Sequence, residues 1–175
     1  MKIKKFVSLL LCVCIVMTLV SVSAFATELT KGTTGDCIWK LEGTVLTISG
    51  NGEMENYTHS KSAPWGTNIT DVLIEEGVTS IGNYSFYGCK SLTSAMITEK
   101  VTTIGKSAFA FCTALKSLTI PSGIKVFGDS AFHYCSSLPG IIIPNGTTSI
   151  GDGAFSFCSK FTDISIPNSV NTIGD

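Results

Sequence analysis

The stretch Val101–Cys112 reads VTTIGKSAFAFC. Twenty-three positions later the chain reads IKVFGDSAFHYC (Ile124–Cys135), and a further 23 later TTSIGDGAFSFC (Thr147–Cys158). Twenty-three positions earlier stands VTSIGNYSFYGC (Val78–Cys89). A constant period with apolar residues in phase predicts stacked coils, because one short coil cannot bury its own apolar face and needs neighbours to cover it. The in-phase columns are Ile81, Ile104, Phe127, Ile150 and Ile173, then glycine at 82, 105, 128, 151 and 174, then Phe86, Phe109, Phe132 and Phe155. Cys89, Cys112, Cys135 and Cys158 form another column, and Leu92, Leu115, Leu138 and Phe161 the next.

Within a coil, SLTIP (Ser117–Pro121) alternates outward and inward and ends on a proline, which has no amide hydrogen to extend a ladder. IKVFG (Ile124–Gly128) reads as a second extended piece. The glycine column then serves positive φ or close approach. DSAFHYC places Ala131, Phe132 and Cys135 at a spacing that suits a turn or two of helix, with Asp129 and Asp152 at its start, where a helix dipole favours negative charge. Thr98 stands where later coils have proline, Ser85 where they have alanine, and Pro139 enters the third strand. The first and third coils are therefore expected to be the less regular ones.

These columns carry a resemblance. The pattern I-G-x-x-A-F-x-x-C-x-x-L-x-x-I-x-I-P, as in TIGKSAFAFCTALKSLTIP, resembles the BspA-like leucine-rich repeat family over roughly residues 69–175. Upstream, WKLEGTVLTISGNGEMENY and the later SAPW resemble the N-terminal cap of such proteins. The expected fold class is α/β: a leucine-rich repeat solenoid of 23-residue coils with parallel strands and short helical turns, preceded by a β-rich N-terminal cap. The expected divisions are a signal peptide at 1–26, the cap at 27–54, a degenerate half repeat at 55–77, and repeats over 78–175, four full and one truncated at Asp175. The resemblance implies a secreted or surface protein linked to adhesion and host contact.

The leader reading rests on Lys2, Lys4 and Lys5, the apolar run Phe6–Val22, and the small residues of SAFA before a cut after Ala26. The competing reading of that run is a membrane anchor, for which its length is short. Neither Cys12 nor Cys14 has a small residue just before it, which argues against a lipoprotein site. Removing three lysines takes the formal charge from −1 to −4, and the chain has no arginine. Nucleic acid is an unsuitable partner for such a surface. No membrane contact is expected after cleavage.

Five cysteines lie beyond the leader: Cys37 in the cap and the four of the column. Parallel side chains one coil apart hold their Cβ atoms about 4.8 Å apart, beyond the ~3.8 Å of a disulfide. Four sulfurs in a row cannot surround a metal tetrahedrally, so no metal is expected. The column Cys89, Cys112, Cys135, Cys158 reads as a structural ladder of buried thiols filling small gaps.

Catalysis finds little support. His59 and His133 lie near no nucleophile motif, and no catalytic residue or cofactor is assigned. Glu53, Glu55, Glu75 and Glu76 read as a solvated rim, and the glycine column is too dispersed to cradle phosphate. The candidate binding residues are Phe111, Tyr134 and Phe157, which recur in phase just before each cysteine, with His133 beside them and Gly88 starting the row. Such a row suits sugar rings or a partner's side chains, or else covers the layer beneath. The function expected is a binding or adhesion module for a protein or glycan at a cell surface or host interface. The alternative is a non-catalytic repeat segment of a larger secreted enzyme or wall-anchored protein. The apolar columns at the last coil also suggest end-to-end self-association of the truncated chain.

Overall fold

The structure is a computed structural model and describes residues 30–175. The leader and its cleavage point lie outside the described residues. The chain winds as a stack of coils with two sheets and a turn-rich face. The first sheet runs β1 (Thr30–Thr34), β2 (Cys37–Glu42), β3 (Val45–Gly50), β5 (Asp71–Ile74), β7 (Ser94–Ile97) and β9 (Ser117–Thr119). β1, β2 and β3 pair antiparallel, and from β3 onward the pairing is parallel. The second sheet is ordered β12 (Thr172–Ile173), β11 (Ser149–Ile150), β10 (Val126–Phe127), β8 (Thr103–Ile104), β6 (Val78–Ile81) and β4 (Gly52–Glu53). Its registers pair Ile81 with Ile104, Ile104 with Phe127, Phe127 with Ile150 and Ile150 with Ile173. The 23-residue period is thus the register itself.

The core follows the columns. Phe86, Phe109 and Phe132 are fully buried, with ring centroids 4.9 and 5.2 Å apart. At the cap end Trp65 packs between Trp39, Tyr57 and Phe86 and donates Nε1–H to the Ser85 carbonyl at 3.0 Å. Two polar intruders in the columns are satisfied locally, whereas the buried Thr98 hydroxyl has no partner. Ser85 donates to the Gly82 carbonyl at 2.8 Å, and buried Thr147 to that of Ile124 at 3.1 Å. A hydroxyl in a core is tolerated on that condition.

The expected helical turns are absent among the described residues. Residues 83–88, 106–111, 129–134 and 152–157 form chained turns. Two columns explain why. Tyr84, Ser107 and Ser130 have φ between 51 and 55°, with Gly153 at 57°; Phe111, Tyr134 and Phe157 have φ near 60°, with Gly88 at 71°. A left-handed residue every fourth position breaks any α-helical ladder. Alternate amides instead donate to the next coil: Phe109 N–H to Ala131, Phe111 N–H to His133, and Phe132 N–H to Ala154, at 2.7–2.8 Å. The turn face is therefore a third hydrogen-bonded ladder. There is no helix start for Asp129 and Asp152 to cap. The Asp129 carboxylate accepts from the Asp152 amide at 3.3 Å and pairs with Lys106 Nζ at 3.3 Å, while Asn83 Oδ1 accepts from the Lys106 amide at 2.8 Å. This column stitches coil to coil.

The glycine column works by close approach alone. Gly82, Gly105, Gly128, Gly151 and Gly174 do not have positive φ, but a Cβ at Gly128 would lie 2.6 Å from the Lys106 nitrogen. The expectation of an irregular first coil also fails. β7 in that coil is a full four-residue strand, since Thr98 comes just after it. The third coil is irregular, as Pro139 suggests. Thr93 N–H donates to Thr70 and Lys116 N–H to Thr93, but Pro139, next in that column, has no proton to give. The first sheet stops at β9, whereas the second continues through β10, β11 and β12.

Candidate functional site

The turn face carries the aromatic row that the sequence singles out. Phe111 and Tyr134 stack with centroids 5.2 Å apart and planes 10° from parallel; Tyr134 and Phe157 stack at 4.5 Å and 12°. The coil spacing sets these distances, because residues in one column repeat at the ladder period. Exposure rises along the row: Phe111 is half-buried, Tyr134 is 39% exposed and Phe157 61%. Gly88 begins the row with open space where a side chain would stand.

His133 is not a free surface group. Its ring meets Phe111, Tyr134 and Phe157 edge to face at 4.8–5.3 Å, and its Nδ1 is buried without a partner. It wedges the row from the side. Tyr87 extends the cluster, meeting Phe111 at 5.4 Å, Tyr84 at 5.5 Å and His59 at 5.3 Å. The sequence reading missed Tyr87 and Tyr84 because they stand in columns otherwise filled by Ala110, His133, Ser107 and Ser130. Their only signal is their proximity to Gly88.

Behind the row lie the thiols. Cys37, Cys89, Cys112, Cys135 and Cys158 are all buried and free. The thiols of Cys112, Cys135 and Cys158 donate at 3.2 Å to the carbonyls of Phe86, Phe109 and Phe132 in the preceding coil. The column thus holds a weak donor as well as a small volume, a reason for cysteine over alanine that spacing alone does not reveal. Burial pushes the Cys89 thiol up to about 12, raises Cys112 and Cys135 well above the ordinary value, and raises Cys158 as well. Such thiols are poor nucleophiles. Among the described residues no three His, Cys, Asp or Glu side chains gather where they could hold a metal ion. Among the described residues no helix is long and apolar enough to cross a membrane.

A model of the BspA type leucine rich repeat region matches residues 60–175 in six copies. The chain belongs to this family. The BspA-type coils here are similar to those of a leucine-rich repeat protein from Eubacterium ventriosum, at 33% identity over 83% of this chain and a TM-score of 0.68. The Treponema pallidum leucine-rich repeat protein matches at 28% identity over 87% of the chain, with a TM-score of 0.61. One from Bacteroides ovatus matches at 25% over 87%, also with 0.61. The chain spans 40%, 64% and 44% of the lengths of these three. No functionally curated protein matches it. Six repeat copies reach back to residue 60, into the segment that the sequence reads as a degenerate half repeat.

Proposed function

We propose that this BspA-type chain is a non-catalytic binding module of a secreted or surface-displayed protein. Its contact is the row Phe111, Tyr134 and Phe157, supported by His133, and its ligand is a protein. The observation that carries this is backbone strain. Three bulky aromatic residues occupy left-handed φ, where each is disfavoured by about 1–2 kcal/mol and where Gly88 opens the same column without that penalty. Strained, outward-facing aromatics point to a use outside the fold.

Ring orientation favours protein over glycan. Sugar rings stack on aromatic faces, but here each inner face lies against the next ring, so apart from the end ring Phe157 the row presents edges to solvent. Edges suit methionine thioethers and other electron-rich groups of a protein partner, which approach the positive aromatic rim favourably. Aromatic side chains also lose little entropy on binding and dominate interface hot spots.

The experiment is an array of matrix and cell-surface proteins and glycans probed with the full chain and with Tyr134→Asn, asparagine being tolerant of left-handed φ. The expected result is a protein hit that Tyr134→Asn weakens at least tenfold (about 1.4 kcal/mol) while circular dichroism is unchanged. Undiminished binding by the folded variant, or hits confined to glycans, overturns the reading.

A further inference from the structure

We propose a second docking site, independent of the aromatic row: the free edge of β9 takes up an extended, lysine- or arginine-bearing segment of a partner protein as an added strand. Ser117 N–H donates to the Thr93 carbonyl at 3.2 Å, so Ser117 faces β7. Backbone polarity alternates along a parallel strand, which turns the N–H and C=O of Leu118 to the opposite side. No strand pairs there, because Pro139 removes the donor that would begin the next rung. A free edge is a template for another chain.

The space beside that edge is shaped for one. A groove of about 940 Å³ opens between β9 and residues 139–146. A strand residue fills about 160 Å³, from its rise, the strand spacing and the sheet thickness, so five or six residues fit. Leu118, Ile120 and Ile141 supply apolar wall, and Ile142 stands 86% exposed at the rim. The charged groups lining it are Glu99 and Asp163, with the Lys125 ammonium lying against Gly146. The Glu99 carboxylate is fixed by the amide and hydroxyl of Ser122 at 3.2 and 2.8 Å. An apolar channel with an acidic border favours alternating apolar and cationic side chains.

The test uses the full chain and three labelled hexapeptides read by fluorescence anisotropy. One alternates valine and lysine, the second carries N-methyl groups on alternate amides, and the third replaces lysine with glutamate. The valine–lysine peptide is expected to bind with a Kd below about 1 mM. N-methylation, which removes the ladder donors, and the glutamate exchange should each weaken it at least tenfold. Pro139→Ser restores the missing amide, closes the edge and should also abolish binding, whereas Tyr134→Asn should leave it unchanged. No binding by the valine–lysine peptide, or equal binding by its N-methylated form, overturns the proposal. So does a protein that light scattering shows to be a dimer dispersed by the peptide, for then a second copy is the occupant. Loss of binding in Tyr134→Asn would place the peptide on the aromatic row instead.

Discussion

A methyl group at Gly128 would meet the Lys106 backbone at 2.6 Å, while one at Gly140 would meet nothing within 4 Å. Gly128→Ala must push one coil from the next and is expected to lower stability by more than about 2 kcal/mol. Gly140→Ala should be neutral or gain about 0.5 kcal/mol through the unfolded chain. Urea midpoints distinguish them; equal effects would remove close approach as the reason for the glycine column. The same scale decides what the aromatic row does for the fold. Phe157→Gly relieves about 1–2 kcal/mol of left-handed strain and loses about 0.5–1.5 kcal/mol of stacking, so the net change should stay within about 1 kcal/mol. A loss well above 2 kcal/mol would make Phe157 part of the core. Cys89 has its own signature in pH. Its thiol is raised from 9.0 to about 12, so the unfolded chain releases this proton first. Its contribution is full below pH 9 and falls away between pH 9 and 12. At pH 10.5 the loss is about 2 kcal/mol, and in Cys89→Ala the alkaline slope of stability should flatten accordingly.

At the scale of elements, the two sheets obey different rules. The second is kept in register by Thr102, Lys125, Thr148 and Asn171, each of which donates its amide to the preceding coil. The first loses its rung at Pro139 and ends. Pro139→Ser is therefore expected to extend it, slowing amide exchange at Gly140–Ile142 by at least tenfold; unchanged exchange would mean that something other than the missing proton holds the segment apart. The repeat period, the buried columns and the strands as far as β9 were legible in the sequence, because apolar residues in phase admit few other folds; the first-sheet strands that the same phase implies in the third and fourth coils are not formed. The turns were not. SAFAFC has the spacing of a helix, and nothing in a single sequence announces that Ser107 and Phe111 adopt left-handed φ; only Gly88 and Gly153, standing in those two columns, hint at it. Pro139 was legible as an irregularity but not as the end of a sheet, since the ladder that it interrupts runs between residues 23 apart. The aromatic row was visible by phase, whereas the wedged position of His133 depends on how neighbouring turns pack.

For the whole molecule, a stack of coils holds together only through its nearest-neighbour interfaces, and here these are unequal. The cap end has antiparallel strands, two tryptophans and two full sheets. Beyond β9 the coils share one narrow sheet and the turn ladder, with Ile164, Ile166 and Ile173 exposed. Phe109 sits at the junction, fully buried and stacked on both Phe86 and Phe132. Phe109→Ala removes that double stack and should lose about 3–5 kcal/mol, most of it from the interface between the two parts. A weakened interface in a linear array uncouples what it joins. Both tryptophans, Trp39 and Trp65, report on the cap end, and Cys158 reports on the other. In the parent chain, tryptophan fluorescence and Cys158 alkylation are expected to follow one urea transition. In Phe109→Ala, Cys158 should become reactive at a lower urea concentration than the one that changes the fluorescence. Coincident transitions in the variant would show that the second sheet and the turn ladder are enough to couple the two parts, and that the aromatic stack is dispensable to cooperativity.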